Sequence, residues 1–151
     1  MPLKIGDHAP DFDLPDQHGQ TVRLGELLEK GPLVVYFYPA ALTPGCTKES
    51  CHFRDLSSEL ADLGASCVGI SADPVDKQKR FDTTHSLGFP LLSDPDHKVA
   101  DSFGVKRSVG FLPNKRATFV IDRDGIVRDV IASEINMNVH ADRSIEALRR
   151  L

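Results

Sequence analysis

The chain has 151 residues, of which 40% are hydrophobic and 26% charged, and a net charge of −4; it is sized as one domain over residues 1–151 with a sizeable core. The acidic balance and the shortness of its basic clusters, Asn114-Lys115-Arg116 and Arg149-Arg150, argue against nucleic-acid binding. No apolar run approaches the ~20 residues of a membrane span, the opening MPLKIGDHAPDF lacks an apolar signal core, and three cysteines are too few for a disulfide scaffold, which points to a reduced, cytoplasmic protein.

In chain order, APDFDL and PDQHGQTVRL read as two short extended pieces around a turn at Asp16 to Gly19, an N-terminal β-hairpin extension. Leu33 to Tyr38, LVVYFY, is an unbroken apolar and aromatic run and suits a central strand buried on both faces. Pro39 ends it, having no N–H for the ladder. From about Thr47 the period changes: Phe53, Leu56, Leu60 and Leu63 mark one amphipathic helix, with Gly64 as its C′ stop. SCVGIS is a second buried strand. Asp73 and Pro74 read as N-cap and first helical residue of the next helix, and Asp94 and Pro95 repeat that opening for a shorter one ending near Gly104. ATFVID is a further strand, RDG turns it into its hairpin partner IVRDVIA, and the tail from about His140 is helical. Strands alternating with helices, then a hairpin and a last helix, predict an α/β domain with a mixed central sheet and flanking helices.

The stretch TPGCTKESC holds Cys46 just past the end of a buried strand and at the start of a helix. Ligands of open α/β sheets bind outside the carboxyl ends of the strands. A helix N-terminus offers unpaired N–H groups and partial positive charge, both of which favour thiolate over thiol. Cys51 follows five residues later. On an intact helix that is a rise of about 7.5 Å and a turn of about 140°, which separates the Cα atoms by roughly 8–9 Å. A disulfide needs less than ~7 Å, so these two thiols can bond only if the first turns unwind.

The stretch resembles the active site of the peroxiredoxins, whose Pro-x-x-x-Thr-x-x-Cys pattern is matched by Pro39, Thr43 and Cys46. TPGCTKESC is similar to the bacterioferritin comigratory protein (PrxQ) branch, some members of which carry a resolving cysteine where Cys51 stands. GDHAPDFDLPDQHG, FPLLSDPDHKVADSFGV and RATFVIDRDG extend the resemblance over nearly the whole chain.

The resemblance implies a thioredoxin-like fold and a thiol-dependent peroxidase. Cys46 would be the peroxidatic nucleophile, Thr43 would hold the peroxide oxygen, and Pro39 would shield the sulfur. Arg116 would stabilise the thiolate and the leaving oxygen, Glu49 would orient Arg116, and Cys51 would resolve the sulfenic acid. The implied substrate is hydrogen peroxide or an alkyl hydroperoxide, and the implied reductant is thioredoxin or a similar donor. No metal or organic cofactor is required. An internal resolving cysteine needs no partner subunit, which allows a monomer. One departure is Ala40-Ala41-Leu42, where the family often has lysine and an aromatic residue; it makes the pocket rim smaller and more apolar.

Other readings stand beside these. Cys51 could be a plain helix residue in a one-cysteine peroxidase, and the chain could be a non-enzymatic thiol redox sensor. A disulfide reductase would want a CxxC, which is absent. Cys67, inside ASCVGIS, reads as core, with a resolving role as its alternative. Arg107 is a second candidate arginine beside Arg116. Cys46, Cys51 and His52 lack the paired spacing of a structural zinc site. The histidines at 8, 18, 85, 97 and 140 are dispersed and read as polar surface.

Overall fold

The computed structural model describes residues 2–106 and 114–151. Strands β1 (Asp13–Pro15) and β2 (Thr21–Arg23) form the expected N-terminal hairpin. Its turn is held by Asp16, whose carboxylate accepts from the N–H of His18 and Gln20, and Gly19 supplies the positive φ the turn requires. A short helix, α1 (Leu24–Lys30), follows; it was not expected, and only Leu24 of it falls in the extended piece read above. It runs a mere seven residues, and its signal is two buried leucines, Leu24 and Leu27, three apart.

Strand β3 (Leu33–Phe37) is buried at every position. Helix α2 (Pro44–Asp55) and helix α3 (Ser57–Asp62) replace the single predicted helix. The first begins at Pro44 rather than near Thr47, because proline fits the first helical turn, where its missing N–H is unneeded. The break is slight: Leu56 still donates to His52 and accepts from Leu60. Gly64 ends α3 at φ 70, with Ala65 donating to Leu60 and Gly64 to Ala61, the paired bonds of a Schellman stop.

Strand β4 (Ser66–Ser71) is as expected. Helix α4 (Val75–His85) is entered through Pro74, not Asp73. Asp73 is drawn away by stronger partners: its carboxylate accepts from the Ala41 N–H at 2.6 Å and the Ser71 hydroxyl at 2.7 Å, and pairs with Lys77. Strand β5 (Leu91–Ser93), too short to show a period, was not predicted. Helix α5 (Lys98–Ser102) starts three residues later than Pro95 suggested. Asp94 still caps it, accepting from the N–H of Val99 and Ala100. Strands β6 (Ala117–Ile121) and β7 (Val127–Ala132) form the predicted hairpin, and α6 (Asn138–Arg149) closes the chain.

The main sheet has the order β5-β4-β3-β6-β7. Strands β3, β4 and β5 are mutually parallel, and β6 runs antiparallel to both of its neighbours, β3 and β7. This is the mixed sheet of a thioredoxin-like fold, with β3 at its centre. Alternation along β3 divides the core in two. Leu33, Val35 and Phe37 face a cluster with Phe12, Leu24, Val99 and Phe103, beneath the hairpin, α1 and α5. Val34, Tyr36 and Tyr38 face a second cluster with Cys46, Phe53, Leu60, Phe81 and Ile145, beneath α2, α3, α4 and α6. No helix among the described residues is long and apolar enough to cross a membrane.

Register places the functional end of the sheet. Phe37, the last residue of β3, pairs with Ala117, the first of β6, and Ala117 pairs with Ala132, the last of β7. Three chain segments therefore meet at one end of the sheet: the exit from β3 toward Cys46, the entry to β6 at Arg116, and the exit from β7 into α6.

Candidate active site

The loop from β3 to α2 is built before the thiol is reached. Pro39 is buried beside the strand end. Ala41 is tethered by its N–H to Asp73. Leu42 then turns through φ 65, a region that L side chains seldom occupy and that is found where a site is held by its surroundings. Thr43 is the N-cap residue of α2, but its hydroxyl donates to the Ala40 carbonyl at 2.7 Å instead of capping the helix.

Pro44 and Gly45 open the helix, so Cys46 lies in its first turn, where backbone N–H groups have no carbonyl partner within the helix. The sulfur is fully buried. Gly45 lets the guanidinium come close: a Cβ there would stand 3.2 Å from Arg116 Nη2 and 3.5 Å from Met137 Sδ.

Arg116 is the junction of the site. Its Nη2 donates to Cys46 Sγ at 3.3 Å, and its Nη1 donates to Glu49 Oε1 at 2.7 Å. Its backbone N–H donates to Glu134. The side chain is only 7% exposed and Glu49 not at all. Cys46 and Glu49 are three apart on α2, so they share its inner face. Burial pushes the Glu49 carboxyl up to about 8, against the charge and hydrogen bond of Arg116, which pull it down. Burial alone would lower the Arg116 guanidinium, but its interactions with Glu49 and Cys46 outweigh it and raise it. Lys115 points outward and is exposed, while Arg107 lies outside the described residues.

His140 belongs to this cluster, contrary to its reading as a surface residue. It is fully buried in α6. Its Nε2 is 2.9 Å from the Ser133 carbonyl, its Nδ1 is 2.8 Å from Thr118 Oγ1, and the same nitrogen is 3.5 Å from Glu49 Oε2. A carbonyl can only accept, so the proton sits on Nε2 and Nδ1 is left to accept from Thr118. Burial holds the imidazole below its ordinary value, partly opposed by the Ser133 carbonyl. The sequence signal for His140 was its place on the inner stripe of α6 with Ala141, Ser144, Ile145 and Leu148, where a polar residue must find a partner.

The other two thiols are placed differently. Cys51 is half-buried on α2 and free, and Cys67 is buried in β4 and free. Burial raises the Cys67 thiol well above its ordinary value, and nearby Glu49 raises it further. His52, beside Cys51, pairs with Asp142 of α6 at 2.8 Å.

Chemically, the site offers one buried sulfur at a helix start, with a charged donor fixed beside it by a buried carboxyl group. Comparison with known proteins agrees with that description. The AhpC/TSA family pattern matches residues 5–130. A putative peroxiredoxin of Mycobacterium tuberculosis is 54% identical over 151 residues, covering 99% of this chain and 98% of that one. Peroxiredoxin Bcp of Escherichia coli is 42% identical, covering 92% of each. Among solved structures, peroxidoxin BcpB of M. tuberculosis superposes with a TM-score of 0.95 at 54% identity, over 99% of this chain and 98% of that one. A bacterioferritin comigratory protein of Xanthomonas campestris, studied for alkyl peroxide reduction, superposes at 0.84 with 30% identity, over 92% and 90%. With its buried Cys46–Arg116–Glu49 cluster at the carboxyl end of the central strand, the chain belongs to the AhpC/TSA family of peroxiredoxins, in the bacterioferritin comigratory protein (PrxQ) branch.

Proposed function

We propose that the chain is a thiol-dependent peroxidase that reduces hydrogen peroxide and organic hydroperoxides at Cys46. The observation that carries this reading is the Arg116 guanidinium, 3.3 Å from the buried Cys46 sulfur and fixed by Glu49 at 2.7 Å. A positive donor at that place stabilises an anion on sulfur and then negative charge on the departing oxygen.

The Cys46 thiolate attacks the terminal peroxide oxygen. An S–O bond forms, the O–O bond breaks, and its electron pair leaves on the alkoxide or hydroxide, which takes up a proton. Cys46 is now a sulfenic acid. The Thr43 hydroxyl orients the peroxide, and Pro39 keeps water from the sulfur. Leu42, an exposed apolar side chain next to Thr43, gives the entrance an apolar character that suits organic hydroperoxides, the substrate class studied with the X. campestris relative.

Cys51 is the resolving thiol in this reading. Its thiolate attacks the Cys46 sulfur, the S–O bond breaks, and hydroxide leaves and is protonated to water. The disulfide is then reduced by thioredoxin or a similar dithiol donor. Cys46 and Cys51 are both on α2, so the first turns unwind before they join. Cys67 competes poorly for this role, being fixed in β4 with its thiol held protonated by burial. Resolution within one chain allows a monomer, and the cycle suits the cytoplasm, where thiol reductants are abundant.

Thioredoxin-coupled consumption of hydrogen peroxide and of an alkyl hydroperoxide tests the reading. Wild type turns over repeatedly and Cys46→Ser does not. A redox sensor would be oxidised once and stop. A one-cysteine enzyme would show no Cys46–Cys51 bridge in peptide mapping after one equivalent of peroxide.

A further inference from the structure

The segment that carries both reactive thiols is fastened to the sheet at a point the peroxidase chemistry does not use. Ser50, adjacent to Cys51, is fully buried, and its hydroxyl lies 2.7 Å from the Tyr36 hydroxyl, also fully buried. The Tyr36 ring stacks on Phe53, one helical turn further along α2, with centroids 4.5 Å apart and planes at 17°. The ring has this position because β4 leaves room for it: a Cβ on Gly69 would stand 2.7 Å from Tyr36 Cζ and 2.8 Å from its hydroxyl oxygen. Burial raises the Tyr36 phenol well above its ordinary value, so the hydroxyl stays protonated and available.

Tyr36 is thus bonded next to Cys51, within the stretch that must unwind before Cys51 reaches Cys46. Its hydroxyl partner is Ser50 and its ring packs on Phe53, and it projects from β3, the central strand of the sheet. We propose that the Tyr36 hydroxyl is a latch on α2: through Ser50 it sets the equilibrium between wound and unwound helix, and so the rate of disulfide formation. This inference rests on the assignment of Cys51 as the resolving thiol.

The latch acts at a branch point. The Cys46 sulfenic acid can lose hydroxide to attack by the Cys51 thiolate, giving the disulfide and water. Its sulfur can instead attack a second peroxide: a new S–O bond forms, the O–O bond breaks, and hydroxide or alkoxide leaves and is protonated to water or alcohol, giving the sulfinic acid. A tighter latch lengthens the life of the sulfenic acid and favours the second branch. Tyr36 is therefore a positioning residue for resolution, separate from the groups that serve peroxide attack.

The test compares Tyr36→Phe, Ser50→Ala and the double variant with wild type. Tyr36→Phe keeps the ring stack and removes only the hydroxyl. One buried hydrogen bond corresponds to roughly fivefold in an equilibrium. In the reduced protein, before peroxide is added, amide exchange over residues 47–51 should rise about fivefold. After peroxide, sulfenic acid should form at the wild-type rate, the Cys46–Cys51 disulfide should form about fivefold faster, and less sulfinic acid should accumulate at high peroxide. In the Ser50→Ala background Tyr36→Phe should have no further effect, since the bond is already gone. Alanine's better helix propensity is common to both arms of that cycle and cancels.

Unchanged exchange and an unchanged disulfide rate, with sulfenic acid forming normally, would overturn the latch while leaving Cys51 as resolving thiol. Additive effects of the two substitutions would overturn it as well. A wild-type protein that forms no Cys46–Cys51 bridge at all would overturn the resolution reading itself, and the latch with it.

Discussion

Arg116 and Cys46 are 70 residues apart in the chain and 3.3 Å apart in space. Their meeting follows from strand direction. Because β6 runs antiparallel to β3, its first residue lies beside the last residue of β3. The arginine just ahead of β6 then stands over the helix that follows β3. The same geometry brings the start of α6, and His140 with it, behind the arginine.

Arg116→Gln should lower the second-order rate constant for peroxide by roughly tenfold to a hundredfold, the range of one or two charge-assisted hydrogen bonds lost at the transition state. Stopped-flow measurement of Cys46 oxidation checks this. A circular dichroism spectrum like that of wild type would show that the loss is local.

Gly45→Ala should separate activity from stability. The new Cβ would meet Arg116 Nη2 at 3.2 Å, closer than ordinary packing, and must push the guanidinium aside. Alanine is otherwise the better helix residue. Peroxide reactivity should fall several-fold, while the thermal midpoint, read by calorimetry, stays near that of wild type.

Glu49 should leave a signature in stability against pH. Its folded value, about 8, lies above the ordinary 4.5, so between these values the folded protein holds a proton that the unfolded chain has lost. Its contribution is full below 4.5 and is lost as pH rises through about 8. Urea unfolding across that window should show wild type losing stability relative to Glu49→Gln as pH increases. A flat difference would contradict the assignment.

His140 has the opposite sign. Burial lowers its folded value below 6.5, so its contribution is present above 6.5 and is lost as pH falls through the folded value. Long-range nitrogen–proton spectra of the native protein at mildly acidic pH should show a neutral histidine with its proton on Nε2. That signal should vanish in His140→Gln.

Cys51→Ser should form a sulfenic acid at Cys46 at the wild-type rate but lose thioredoxin-dependent turnover. Oxidation of wild type should raise amide exchange over residues 47–51, since a bridge at that spacing cannot close on an intact helix. Mapping of a Cys46–Cys67 bridge instead would reassign the resolving thiol.

Much of this was legible in the linear chain, for local reasons. The run LVVYFY marks a strand buried on both sides, and β3 is that strand. The glycine at 64 stops a helix and the RDG turn makes a hairpin, because each depends on residues within a few positions. The TPGC turn likewise marked where Cys46 would sit. The misses share a cause. Helix α1 and strand β5 are too short to show a period and exist because they pack on the sheet. Asp73 has the composition of an N-cap, yet its carboxylate is taken by Ala41 and Ser71.

By itself, then, the sequence determined the alternation of elements, the position of the thiol at a helix start and the five-residue spacing of its neighbour, all properties of contiguous chain. Only the tertiary structure decided that Glu49, Arg116 and His140 form one buried cluster, and that Tyr36 fastens α2 through Ser50. Those contacts depend on sheet register and on which face each residue presents. Register is set by the summed burial of five paired strands, not by any one segment.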